Sequence, residues 1–114
     1  MKLRKLAVPV ILATALLTLP STPTVEAASP VKATITRRID GCDYFMVEMK
    51  TGYGVLEWYG GHDPDKDDVL YGDMRSYGMK NIYDETADEG IKVWVEDYDL
   101  SKSDAQEKLL DECE

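Results

Sequence analysis

The side chains best equipped for chemistry are gathered in residues 60–68, Gly-Gly-His-Asp-Pro-Asp-Lys-Asp-Asp, which set one imidazole among four carboxylates. Alternating acids at Asp63, Asp65 and Asp67 are what a hard calcium ion takes from a flexible loop. The pattern then breaks in three places. Lys66 brings a cation into the ring, Asp68 replaces the glycine of the sharp turn, and Met74 stands where a bidentate glutamate belongs. The segment therefore reads as a solvated acidic turn, and no metal or other cofactor is expected. His62, the lone histidine, could serve a Ser-His-Asp arrangement, but no Gly-x-Ser-x-Gly elbow accompanies it. A solvated loop histidine is the expectation.

Glu48 and Glu57, on neighbouring strands, offer a carboxylate pair of the kind glycosidases use. With 22 acidic residues in the chain, such pairs arise by chance. No catalytic residue is assigned. Cys42 and Cys113 are the two cysteines; an even count in an exported chain implies a bridge, and neither has the spaced partners of a zinc site. A Cys42–Cys113 disulfide is expected, and it would close nearly the whole domain.

The more informative signal is aromatic. Tyr44, Tyr59, Trp94 and Tyr98 all fall on the polar sides of their strands, where rigid exposed rings suit the binding of protein or sugar. The competing expectation is a second, minor core beneath a helix.

The elements that must position these groups follow a signal peptide. Lys2, Arg4 and Lys5 precede an apolar run over 6–19, and Val25-Glu26-Ala27 forms a cleavage site, so residues 1–27 are expected to be removed. The apolar run contains Pro9 and is too short to span a bilayer. The full chain carries a net charge of −9. Residues 1–27 hold three basic side chains and one acidic one, so the remaining 87 residues carry −11. Such a surface repels nucleic acid and anionic lipid and favours cationic partners.

Residues 28–33 hold Pro30, show no pattern and read as a flexible lead-in to one domain over 34–114. Residues 34–39 are β-branched and end at Asp40-Gly41, a turn signal. Phe45, Val47 and Met49 alternate with Tyr44, Met46 and Glu48; Leu56 and Trp58 alternate with Val55, Glu57 and Tyr59. Period two makes these half-buried strands, joined as a hairpin at Thr51-Gly52. Two shorter strands are expected at 69–71 and 79–83. The clearest is 91–98, with Ile91, Val93 and Val95 opposite Lys92, Trp94, Glu96 and Tyr98.

A terminal helix, capped by Ser101 or Ser103, carries Ala105, Leu109, Leu110 and Cys113 on one stripe. The expected fold is mainly β: a five- or six-stranded antiparallel barrel or rolled sheet, SH3-like or alternatively OB-like, with one C-terminal α-helix. The expected function is an exported, periplasmic or extracellular, non-enzymatic binding or inhibitory module for a basic protein or peptide. A carbohydrate-binding module is the alternative, and a small hydrolase the third.

Overall fold

Alternation along the chain is converted into a ring. The computed structural model describes residues 29–114, and the expected signal peptide lies outside them. Six strands, β1 (Val31–Arg38), β2 (Tyr44–Met49), β3 (Gly52–Gly61), β4 (Val69–Gly72), β5 (Gly78–Asp84) and β6 (Glu89–Leu100), precede helix α1 (Lys102–Glu112). They close into a barrel in the order β1-β2-β3-β6-β5-β4, every pairing antiparallel. Two three-stranded meanders are thus sewn together, β3 to β6 and β1 to β4. The small barrel with one C-terminal helix is the observed architecture, with one strand more than the five of an OB-fold.

Antiparallel pairing sends the connections to two ends. One end, the rim, carries residues 39–43, the β3–β4 crossover over 62–68 and the β5–β6 turn over 85–88. The other carries the β2–β3 turn, residues 73–77 and the β6–α1 junction.

Inside the ring, Ile35, Phe45, Val47, Leu56, Leu70, Val93 and Val95 are fully buried, the faces that period two assigns inward. Each such side chain contributes about 1.5–3 kcal/mol by leaving water. Met74, from residues 73–77, joins the same core at its far end.

β1 begins at Val31, inside the stretch read as a lead-in. Val31 and Lys32 face Gly72 and Tyr71 of β4, and this distant pairing, absent from local pattern, extends the strand. β6 departs from expectation at its second half. Val55 of β3 faces Asp97 while the next residue, Leu56, faces Val95, so Glu96 is an extra residue in the ladder. A bulge of this kind resets alternation. Tyr98 consequently packs against the barrel core rather than sharing Trp94's outer face.

The helix is capped by Ser101, whose hydroxyl accepts from the Asp104 backbone N–H at 3.1 Å. Ala105 and Leu109 are buried over Met46 and Val55, on the outer face of β2 and β3. Leu110, expected on the same stripe, is exposed. It lies a hundred-degree step from Leu109, and the seat is too narrow to reach it. The helix runs from the far end back to the rim, where Cys113 bonds Cys42 with a Cα–Cα distance of 5.5 Å, within the usual disulfide range. No helix among the described residues is long and apolar enough to cross a membrane.

At the far end, Arg75 donates to both carboxylate oxygens of Asp99 at 3.1 and 2.7 Å, and Thr51 adds a bond at 2.6 Å. The Arg75 hydrogen bonds, followed by that of Thr51, hold the Asp99 carboxyl below its ordinary range. A depressed carboxyl contributes stability above its unfolded pKa and loses it as the pH falls through the native value. Arg75→Met is therefore expected to lose less stability than the parent on acidification below about pH 4. Urea unfolding of both proteins across that range checks the difference; parallel curves would refute it.

Candidate functional site

Register places one row of outward side chains across four strands. Tyr44 of β2 faces Glu57 of β3, Glu57 faces Trp94 of β6, and Trp94 faces Met79 of β5. Period two points all four away from the barrel interior. Trp94 is 38% exposed and Met79 is exposed beside it. The helix seats on Met46 and Val55 and leaves Trp94 open.

The four aromatics of the sequence reading separate into different roles. Tyr44 flanks the helix seat, half-buried against the minor core. Its phenol is held well above the ordinary value by burial, then by its hydrogen bond to Glu57 and by the charges of Glu57, Glu112 and Glu96. Tyr59 occupies the extra position between Trp58, which faces Val93, and Gly60, which faces Lys92. That bulge throws it outward to 52% exposure, and the Glu57 charge is the first cause of its raised pKa. Tyr98 lies apart, its ring 4.9 Å from that of Tyr77 at a tilt of 49°. The structure therefore joins Tyr59 and Trp94 through Glu57, uses Tyr44 for the helix and removes Tyr98 from the face.

Sequence pattern missed several exposed rings because β4 and β5 are short. Tyr71 and Tyr83 face each other across these strands, both exposed. Tyr77 is exposed just before β5 and donates to Asp97 at 3.3 Å.

The rim differs most from expectation. Residues 62–68 were expected in solvent, yet Asp68 is buried and His62 is largely enclosed. Gly61 makes the exit from β3 possible: its φ is +78°, and a Cβ there would lie 2.6 Å from the Gly90 carbonyl oxygen. Directly after it, the His62 N–H donates to Gly90 O at 3.2 Å and the Trp58 indole donates to His62 O at 3.0 Å. Asp67 takes a left-handed φ of 78°, its N–H donating to Ile35 O at 2.8 Å, and this turns Asp68 inward.

His62 Nε2 then lies 3.9 Å from Asp68 Oδ2 and 3.7 Å from Asp84 Oδ2, with Glu89 Oε2 3.6 Å from Nδ1. Burial, followed by the adjoining Asp68, raises the Asp84 pKa, and the His62 charge opposes them. Four separated points of the chain thus meet: the ends of β3 and β5 and the starts of β4 and β6.

Beside this cluster, Arg38 Nη1 donates to Asp63 Oδ1 at 2.9 Å and to the Pro64 carbonyl, and Nη2 donates to Cys42 O at 3.4 Å. It borders a groove of about 600 Å³ whose lining includes Asp40, Asp43, Asp63 and Asp65. Negative charge thus dominates the rim, while beside Trp94 the carboxylates of Glu57 and Glu96 outnumber the one ammonium of Lys92.

No known family, curated protein or solved structure matches this chain. The side chains themselves must carry the functional reading.

Proposed function

We propose that this protein is an exported, non-enzymatic binding module that docks a basic protein or peptide on the Trp94 face. The observation that carries the reading is Trp94 itself. A large ring stands exposed on a rigid sheet, directly opposite Glu57, two residues from Glu96 and next to Met79. An indole face attracts ammonium and guanidinium groups, and nearby carboxylates add a charge-assisted hydrogen bond to the same cation. A net charge of −9 brings cationic partners in from a distance. The disulfide suits an oxidising compartment outside the cytoplasm.

Fluorescence titration of the protein with Lys- and Arg-rich peptides, beside neutral oligosaccharides, tests the proposal. Peptide binding is expected to weaken as salt rises, because exposed charges are screened. Trp94→Ala should cost at least about 2 kcal/mol of peptide affinity, the scale of an interface anchor. Its effect on stability should stay within about 1 kcal/mol, since Trp94 is exposed and belongs to neither buried cluster, so the loss is mainly of cross-strand packing. Salt-independent oligosaccharide binding at Trp94 would favour the carbohydrate alternative. A stability loss of about 3–5 kcal/mol would make Trp94 a packing residue and sink the proposal.

A further inference from the structure

The rim holds a second cluster of ionisable side chains, apart from the Trp94 face. Asp84 is fully buried at the end of β5. One of its oxygens, Oδ1, accepts from the Ala87 N–H at 3.0 Å and so secures the β5–β6 turn. The other, Oδ2, is buried without any hydrogen-bond partner. Leaving a carboxylate oxygen so placed is costly, and native proteins rarely do so without a reason. Oδ2 lies 3.7 Å from His62 Nε2, and the adjoining Asp68 carboxylate reaches within 3.9 Å of the same nitrogen.

We propose that His62 Nε2, Asp68 and Asp84 form a binding site for a divalent transition-metal ion of the zinc class. One donor atom from each residue falls within 4.8 Å of the others. In a tetrahedral site with ligands near 2.0–2.2 Å, neighbouring donors stand about 3.4 Å apart. The observed 3.7 and 3.9 Å separations from Nε2 close to that value by side-chain shifts of a few tenths of an ångström. The donor set also selects the ion. Calcium takes six to eight oxygens and magnesium keeps its waters, whereas imidazole with carboxylates suits zinc and its transition-metal neighbours.

The surroundings follow the usual logic of a histidine ligand. Glu89 Oε2 lies 3.6 Å from Nδ1, and a small shift of this exposed side chain on metal binding would let it accept the Nδ1 proton and leave Nε2 free as the donor. Asp68 Oδ2 also accepts the Asp65 N–H at 3.2 Å, which fixes that carboxylate from the crossover side. Three protein ligands leave a fourth position for water or for a donor from a bound molecule. The ion would tie the β3–β4 crossover to the β5–β6 turn.

The test uses tag-free protein produced from the full coding chain, stripped with chelator and titrated with cobalt(II), then zinc. One equivalent of cobalt should give the visible absorption of a tetrahedral site, displaced by zinc and unaffected by excess calcium. Zinc should raise the thermal midpoint of the parent protein. His62→Gln should abolish the band and the thermal shift, and Glu89→Gln should weaken zinc binding by about 10–100-fold. Trp94→Ala should bind metal as the parent does, which separates this site from the peptide-binding face. Asp84→Asn should also lose the band; if that variant fails to fold, His62→Gln at the open side of the cluster still decides. No cobalt band and no zinc-dependent shift in the parent would overturn the proposal. So would undiminished binding by His62→Gln, the mark of ions held loosely on an acidic surface.

Discussion

Replacing Cys42 and Cys113 together by alanine is expected to lower the folding free energy by about 4 kcal/mol, the loop-entropy value for a closure of this size. The bridge joins residues 71 apart in sequence, so it encloses β2 to β6 and all of α1. Without it, the unfolded chain regains freedom it now lacks. The folded state also suffers, because Cys113 packs with Leu109 and Met46 in the cluster that seats the helix. For a domain of 60–100 residues, each kcal/mol moves the midpoint by about 4–8 °C. A fall of roughly 15–30 °C follows, and it is large against a total stability of about 5–15 kcal/mol. Denaturant unfolding of the double variant, compared with the oxidised parent, measures it. A loss below about 1 kcal/mol would show that the minor core alone secures the helix, contrary to the loop-entropy account.

Phe45→Ala should cost about 3–5 kcal/mol, the range for emptying a buried aromatic site. Phe45 is the chain's one phenylalanine and is fully buried, opposite Leu56 on β3 and Arg38 on β1. Two things are lost at once. The barrel interior gains a cavity that neighbours on a closed ring of strands cannot easily fill. The Arg38 guanidinium, centred 5.1 Å from the ring centroid, loses the surface on which it lies, an interaction worth about 0.5–2 kcal/mol. Arg38 bonds Asp63, Pro64 and Cys42, so loosening it frees the crossover. Phe45→Leu keeps most of the volume and should cost about 1–2 kcal/mol. Equilibrium unfolding of the two variants checks the pair of values. Equal and small losses would show that the ring is not a filled core position.

Much of this architecture is legible in local pattern. Phe45, Val47, Leu56 and Val93 point inward because strict alternation admits one inward face. Cys113 meets Cys42 because helical spacing puts it on the stripe of Ala105 and Leu109. The parts that escape local pattern depend on distant partners. Val31 becomes strand through Gly72, and Tyr98 turns toward the core through the extra residue at Glu96 in the pairing with β3. Neither partner is visible within a short window.

The rim shows the same limit most sharply. Asp68 sits in a run of glycine, proline and charge, a composition that ordinarily means solvent. It is buried because the crossover passes over the barrel and meets the end of β5 and the start of β6. Asp84 and Glu89, 16 and 21 residues beyond Asp68, complete the cluster without any motif spacing. The orphaned oxygen of Asp84 is a three-dimensional fact.

Because β4 returns to β1, every strand of the ring has a neighbour on both sides. An open sheet offers its outermost backbone amides and carbonyls to any extended segment that can pair with them, which is a common route both to peptide capture and to aggregation. This ring leaves only short stretches open, such as the β4 side of Gly78–Ile82, because β4 pairs with β5 at Asp84 and Tyr83 alone. Recognition therefore falls mainly to side chains, on the barrel wall or at its ends, and a partner need not be extended. The same closure limits the template for strand addition by other copies of the chain, leaving its aromatic surface available at reduced risk of cross-strand polymerisation.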